Sequence, residues 1–165
     1  MLYYRSCLIV TPVKEVNDTK ETESVWIGLC LQSQKFLIGC MHRAPTDRAF
    51  YDHFSKILNH LWTKRKNIVI LGDFNSDLLS KDSSKESTQA GKNIKRVLKA
   101  FDFHNLIDKP TRISESSKTL IDLIVVSDKI KKSNKIIRSG TFEPAISDHK
   151  LVYCILNIQK MHTKI

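Results

Sequence analysis

Carboxylates, an amide and an imidazole recur in this sequence at the ends of apolar runs. Ile68 to Leu71 runs into Gly72-Asp73-Phe74-Asn75, Asp122 interrupts Leu120 to Ile124, and Ser147-Asp148-His149 follows Ile146. Side chains alternate along an extended segment, so Asp73 and Asn75 can point to one side. Asp73 would then accept a proton or a metal, while Asn75 donates a hydrogen bond. An unpaired carboxylate inside an apolar strand costs roughly several kcal/mol, so Asp122 needs a partner. His149 meets that need. A carboxylate on one imidazole nitrogen fixes the tautomer and favours the imidazolium, and the other nitrogen is left to donate to an anion. Each station also has an ordinary reading. Gly-Asp can be a turn after a strand, Asp122 can hold backbone amides, and Asp148-His149 can be a capping pair. Their joint occurrence is what points to chemistry.

The elements that must position these groups can be read from the hydrophobic pattern. Leu2 to Val10 is rich in Tyr, Ile and Val and breaks at Thr11-Pro12, the signature of a strand. Val25 to Leu31 and Phe36 to Met41, joined by polar residues, predict an antiparallel hairpin. With Thr46 or Asp47 as cap, a helix follows that carries Phe50, Phe54, Ile57, Leu58 and Leu61 on one face and ends near Lys64. Ile68 to Leu71 is wholly apolar, as expected of a central strand covered on both faces. Ser76 to Gly91 reads as a loop, and the next helix, about Ala90 to Ala100, turns Ile94, Val97, Leu98 and Phe101 inward. Leu120 to Ser127, Lys135 to Arg138 and Leu151 to Ile158 complete the strands. Helices and strands mix irregularly with hairpin-like joins, which favours an α/β sandwich of mixed or antiparallel sheets over a doubly wound parallel sheet.

Composition narrows the partners. The 165 residues have the size of one domain, spanning 1–165, with 41% hydrophobic and 27% charged residues, as in ordinary globular chains. Lys and Arg exceed Asp and Glu by 27 to 17, a formal charge of +10 that suits a polyanion such as nucleic acid. The basic residues are spread over 64–66, 92–99 and 129–135, so a solvated basic surface is the plainer alternative. Cys7, Cys30, Cys40 and Cys154 form no Cys-x-x-Cys pair and are expected as buried, reduced thiols. No apolar run has the length of a membrane span and no secretory leader is recognisable, so a nuclear or cytoplasmic, non-secreted location is expected. Only five glycines are present and no Gly-x-x-x-x-Gly-Lys loop, so site chemistry must come from side chains.

Taken in order, Ile-Leu-Gly-Asp-Phe-Asn at 70–75, Thr-Leu-Ile-Asp-Leu-Ile at 119–124 and Ser-Asp-His at 147–149 resemble the motifs of the endonuclease/exonuclease/phosphatase superfamily. Arg43-Ala44-Pro45 and Asp108-Lys109-Pro110-Thr111-Arg112 are similar to features of the endonucleases of LINE-type, non-LTR retrotransposons. The resemblance implies a two-sheet α/β sandwich that hydrolyses phosphodiesters with Mg2+, or with Mn2+ in its place. By it, Asp73 orients or deprotonates the attacking water, Asn75 hydrogen-bonds the scissile phosphate, and Asp148 belongs to the metal site. His149, held by Asp122, stabilises the phosphate, and His42, Arg43, Thr111 and Thr119 add phosphate or substrate contacts. DNA is the implied substrate, with a reverse transcriptase domain encoded downstream as an implied partner.

Two departures from the pattern stand out. His42 occupies the position of a family Tyr, and the family's opening strands, ending in a metal-site Asn and a metal-site Glu, have no counterpart upstream of Leu2. The chain is therefore expected to be the C-terminal portion of the domain, with impaired activity alone. A nucleic-acid-binding remnant without chemistry remains a competing reading, because losing two metal ligands removes much of the metal's binding energy. So does a phosphatase of the same superfamily acting on inositol phosphates or phospholipids.

Overall fold

The structure, a computed structural model, describes residues 2–17, 22–32, 34–62, 67–79, 88–144 and 146–158. The basic run at 64–66 and positions 80–87 of the expected loop lie outside the described residues.

Strand β1 (Ile9–Pro12) is followed by a short helix α1 (Lys14–Asn17) and then by the long hairpin β2 (Glu23–Leu31) and β3 (Gln34–His42). Helix α2 (Phe50–Trp62) leads to β4 (Ile68–Asp73), and α3 (Gln89–Ala100) leads to β5 (Phe103–Asn105). Two-residue strands β6 (Arg112–Ile113) and β7 (Lys118–Thr119) precede β8 (Asp122–Ser127), helix α4 (Asp128–Lys132) and the ribbon β9 (Ile136–Phe142) and β10 (Leu151–Leu156). Six strands form one sheet in the order β1-β2-β3-β4-β8-β5. Only β3 and β4 run parallel in it, across the connection that contains α2. This is the mixed α/β architecture with several sheets that the sequence pattern predicts.

The core is built on Ile68 to Ile70 of β4 and Leu123 to Ser127 of β8, which are buried throughout, and on every second residue along much of β3. Trp26, Leu37, Ile68, Ile70 and Val125 are fully buried. Aromatic residues of α2 close the end of the sheet: Phe50 and Phe54 meet Phe74 edge-on, with ring centroids 5.8 and 5.6 Å away. Asp47 Oδ1 accepts from the Phe50 amide at 3.0 Å, the cap expected at that helix start. In the ribbon, Val152, Cys154 and Leu156 pack against the core, whereas Phe142, Leu151 and Ile155 are exposed.

Two expectations are corrected. The first strand begins at Ile9, not Leu2, because Ile9 already pairs with Cys30 and β2 turns away after Leu31. Residues upstream of Leu8 consequently have no ladder partner on β2, and Tyr3 and Tyr4 are exposed. None of the cysteines is buried: Cys7 and Cys30 are exposed, and Cys40 and Cys154 half-buried. Apolar neighbours in sequence did not decide this, since alternation turns every second strand residue outward. Part of the basic run 129–135, to which no element was assigned from sequence, is helical, as α4, anchored by buried Ile130.

Glu23 of β2 is opposite His42 of β3, His42 opposite Asp73 of β4, and Asp73 opposite Asp122 of β8. Paired residues share a face, so four ionisable side chains form a row across one end of the sheet.

Candidate active site

At the end of β4 the backbone makes room for Asp73. Gly72 has φ +150°, and a Cβ there would lie 1.8 Å from the Met41 carbonyl oxygen, so no side chain fits. Beyond it, the Asn75 amide donates to Asp73 Oδ1 at 2.8 Å, and Asn75 itself sits at φ +42°. Carboxylate and amide thus form a tight local turn, where the sequence predicted two side chains projecting from an extended segment.

Arg43 braces this turn. Its backbone amide donates to the Asp73 carbonyl at 2.9 Å, and its carbonyl accepts from Asn75 Nδ2 at 2.8 Å. The guanidinium is buried and donates to the carbonyls of Asn75, Pro45 and Asp47 at 3.0 to 3.1 Å, with the Tyr51 ring centroid 5.0 Å from Cζ. Expected as a substrate contact, Arg43 instead has its guanidinium committed to the scaffold. Thr111 is likewise buried, its hydroxyl oxygen accepting from the Ile121 and Asp122 amides at 3.1 and 2.9 Å. Thr119 lies in β7, opposite Arg112.

His149 reaches Asp122 from the loop before β10. Its Nδ1 lies 3.0 Å from Asp122 Oδ2, joining residues 27 positions apart in sequence, as the pairing argument predicts. The loop is sewn to the β6–β7 hairpin. The Ile113 amide donates to the Asp148 carbonyl at 2.9 Å, and the Lys150 amide to the Thr111 carbonyl at 2.6 Å. Asp148 turns its carboxylate to Arg112, whose Nε donates to Oδ2 at 2.8 Å.

Electrostatics separate the two acids. Burial pushes the Asp122 carboxyl above its ordinary value, against the opposing pull of the Thr111 hydroxyl and His149. Asp148 is held below the ordinary range, first by its hydrogen bond with Arg112. Among the described residues, Asp73, Asp122 and His149 each offer a ligand atom, all within 4.8 Å of one another, and Asp148 is not part of that group. Two carboxylates beside one imidazole suit a divalent cation. Mg2+ prefers the carboxylate oxygens and retained water, and Mn2+ accepts the nitrogen as well.

Three residues with structural parts in the site had no role assigned from sequence. Arg112 holds Asp148, and Glu23 holds His42, with Oε2 2.6 Å from Nδ1. Buried Asp77 accepts from the Leu79 and Leu120 amides at 3.0 and 2.9 Å, tying the β4 loop to the entry of β8. The available signals were the place of Arg112 at the end of the Asp108 to Arg112 run and the second acid, Asp77, just beyond the Gly72 to Asn75 station.

Known proteins provide the context for this geometry. The model of the endonuclease-reverse transcriptase family matches residues 36–153, most of the chain and all three stations. The chain belongs to this family. No curated protein matches its sequence. Among solved structures, it is similar to the endonuclease domain of TRAS1, a telomere-specific non-LTR retrotransposon, with 18% identity and a TM-score of 0.76 over 95% of this chain and 72% of that one. It is also similar to a 3′ phosphatase from Neisseria bound to product DNA hairpin (13% identity, TM-score 0.61, 90% and 70% covered). A third is the inositol polyphosphate 5-phosphatase domain of SPsynaptojanin, in complex with inositol (1,4)-bisphosphate and calcium ion (16%, TM-score 0.60, 90% and 54%). At these identities the likeness is one of fold, the endonuclease/exonuclease/phosphatase fold. Among the described residues, no helix is long and apolar enough to cross a membrane.

Proposed function

We propose that this member of the endonuclease-reverse transcriptase family hydrolyses phosphodiesters with a divalent metal, most simply by nicking DNA with Mg2+. The observation that carries this reading is the Asp122–His149 pair, 3.0 Å apart, beside Asp73 at the end of the same sheet. With Nδ1 committed to Asp122, the other nitrogen of His149 is the one available to a phosphoryl oxygen. Asp73 takes the proton of the attacking water. Asn75, with one amide hydrogen given to Arg43, has donor and acceptor capacity left for the phosphate. A cation held by Asp73 and Asp122 would supply charge neutralisation on the phosphoryl group. Asp148 joins the metal site in this reading only when Arg112 releases it.

DNA is favoured over inositol phosphates by the formal charge of +10 and by the family match. The experiment is supercoiled-plasmid nicking with Mg2+, with chelator, and with Asp73→Asn and His149→Ala. Nicking that needs metal and falls at least about a hundredfold in each variant supports the reading. Metal-independent nicking, or variants as active as the parent, overturns it. The unmodified chain is expected to be slow, because Asp148 is occupied by Arg112. A downstream reverse transcriptase domain belongs to the same proposal and is tested by sequencing the locus.

A further inference from the structure

The two ends of the main sheet differ in charge. The end that holds the site carries Glu23, Asp73 and Asp122, with Asp148 beside them. At the opposite end β3 and β4 begin, β8 finishes, and the C-terminal ends of α2 and α3 meet the start of α4. Three hydrogen bonds join these segments into one surface. The Ile68 amide donates to Ser127 Oγ at 3.2 Å, the Asp128 amide to the Asp102 carbonyl at 3.0 Å, and Lys135 Nζ to Gln34 Oε1 at 2.6 Å. Since β4 is six residues long, about 17 Å of strand separate this end from Asp73.

Lysines collect there. Lys35, Lys99, Lys129 and Lys131 are exposed, and among the described residues none of the four has an ion pair. Asp128 is already taken, by Lys132 at 2.7 Å and His104 at 3.1 Å. A helix dipole accounts for a lysine near a C-terminal end, such as Lys99 or Lys131. It does not account for Lys35 on a strand, nor for an exposed indole at the same end. Trp62, the last residue of α2, is 42% exposed, and its ring lies against buried Phe103 with centroids 6.2 Å apart. Phe103 pairs with Ser127, the residue before α4, which places the indole and the lysines at one end of the sheet.

This combination selects a ligand. Lysines alone suit any polyanion, and a duplex would satisfy them while keeping the faces of its bases stacked on one another. An indole beside lysines suits a base that is free to stack, as the bases of a single strand are. We propose that this end of the sheet is a second binding surface, for a single-stranded polynucleotide, with Trp62 stacking on a base and Lys99, Lys129 and Lys131 neutralising phosphates. The surface is separate from the Asp73–Asp122–His149 site and does not depend on the phosphodiesterase reading. Stacking and charge are indifferent to the sugar, so RNA and DNA strands bind alike.

The test is fluorescence anisotropy in the presence of chelator, so that nothing is cleaved. The probes are a labelled oligothymidylate of about 15 nucleotides, near the size that single-strand binders cover, its abasic counterpart and the matching oligouridylate. Trp62→Leu is expected to weaken oligothymidylate binding about tenfold and to leave the abasic strand unchanged, while Trp62→Tyr keeps most of the affinity. Lys129→Gln/Lys131→Gln, on exposed positions that leave the fold intact, should weaken both strands and lower the slope of log affinity against log salt by about 1.4. The oligouridylate should bind within about threefold of the oligothymidylate. A parent chain that does not bind the oligothymidylate overturns the proposal. So does a Trp62→Leu loss that is equal on the abasic strand, an unchanged salt slope in the lysine variant, or a preference between the sugars of more than about tenfold. If Asp73→Asn weakens the oligothymidylate as much as Trp62→Leu does, the strand lies at the catalytic end and the second surface does not exist.

Discussion

The end of β4 and the loop before β10 deliver the two halves of the site by different physical means. Asp73 and Asn75 sit on a strand buried in the middle of the sheet, in a turn braced by a buried arginine with three carbonyl partners. Asp148 and His149 sit on a half-exposed loop held by two backbone hydrogen bonds to a short hairpin, one surface ion pair and the His149–Asp122 contact. The first half is tied into the buried sheet, whereas the second rests on fewer and more exposed contacts. In the proposed reading, the base lies on the better-anchored half and the phosphate-facing imidazole on the more exposed one.

The contrast breaks most visibly at Gly72. Gly72→Ala places a Cβ against the Met41 carbonyl at a φ that L-residues avoid, and about 3 kcal/mol or more of stability should be lost. Urea denaturation measures it, and a loss within error would show that the strand end is not clamped. Arg43→Leu comes next, leaving the carbonyls of Pro45, Asp47 and Asn75 without their donor, for roughly 2 to 3 kcal/mol together with the loss of nicking. Retained nicking in a destabilised Arg43→Leu protein would separate the brace from the chemistry.

Arg112→Gln should do the reverse, moving function while sparing the fold. With the guanidinium gone, Asp148 is freed and Mn2+ affinity is expected to rise several-fold, by calorimetry, with an unchanged thermal midpoint. Unchanged metal affinity would leave Asp148 outside the metal site. The smallest effect lies away from the site, at α4. Asp128 is held below the ordinary carboxylate range, first by its hydrogen bond with Lys132 and then by His104. Its folded value is depressed, so its contribution is complete above the unfolded value and disappears as pH falls through the folded one. In Asp128→Asn, the fall in thermal midpoint between about pH 5 and pH 2 should be slightly shallower than in the parent. An unchanged slope would show that the surface pair contributes nothing measurable.

Much of the scaffold was written in local pattern. Two apolar runs joined by polar residues located the β2–β3 hairpin, the apolar face Phe50 to Leu61 located α2, and the run Ile68 to Leu71 located the central strand. The cost of burying Asp122 called for a partner, and the imidazole offered by the Ser147 to His149 station is the one it meets. Such features are legible because hydrophobic period and desolvation act on each residue through its own neighbours in sequence.

What sequence left undetermined was which partner each polar group takes. Arg43 and Thr111 have the right types for phosphate contacts, yet both are buried with backbone partners. Asp148 carries the motif of a metal ligand, yet its carboxylate faces Arg112, 36 positions away. Only register across the sheet put Glu23, His42, Asp73 and Asp122 in one row. Sequence by itself determined the elements, the family and the residues able to do chemistry, because these depend on local pattern. The tertiary structure alone decided which of those residues face one another and which are locked in the scaffold. Hydrogen bonds and ion pairs form across space between strand ends, and strand order and register, not chain distance, set who is within about 3 Å of whom.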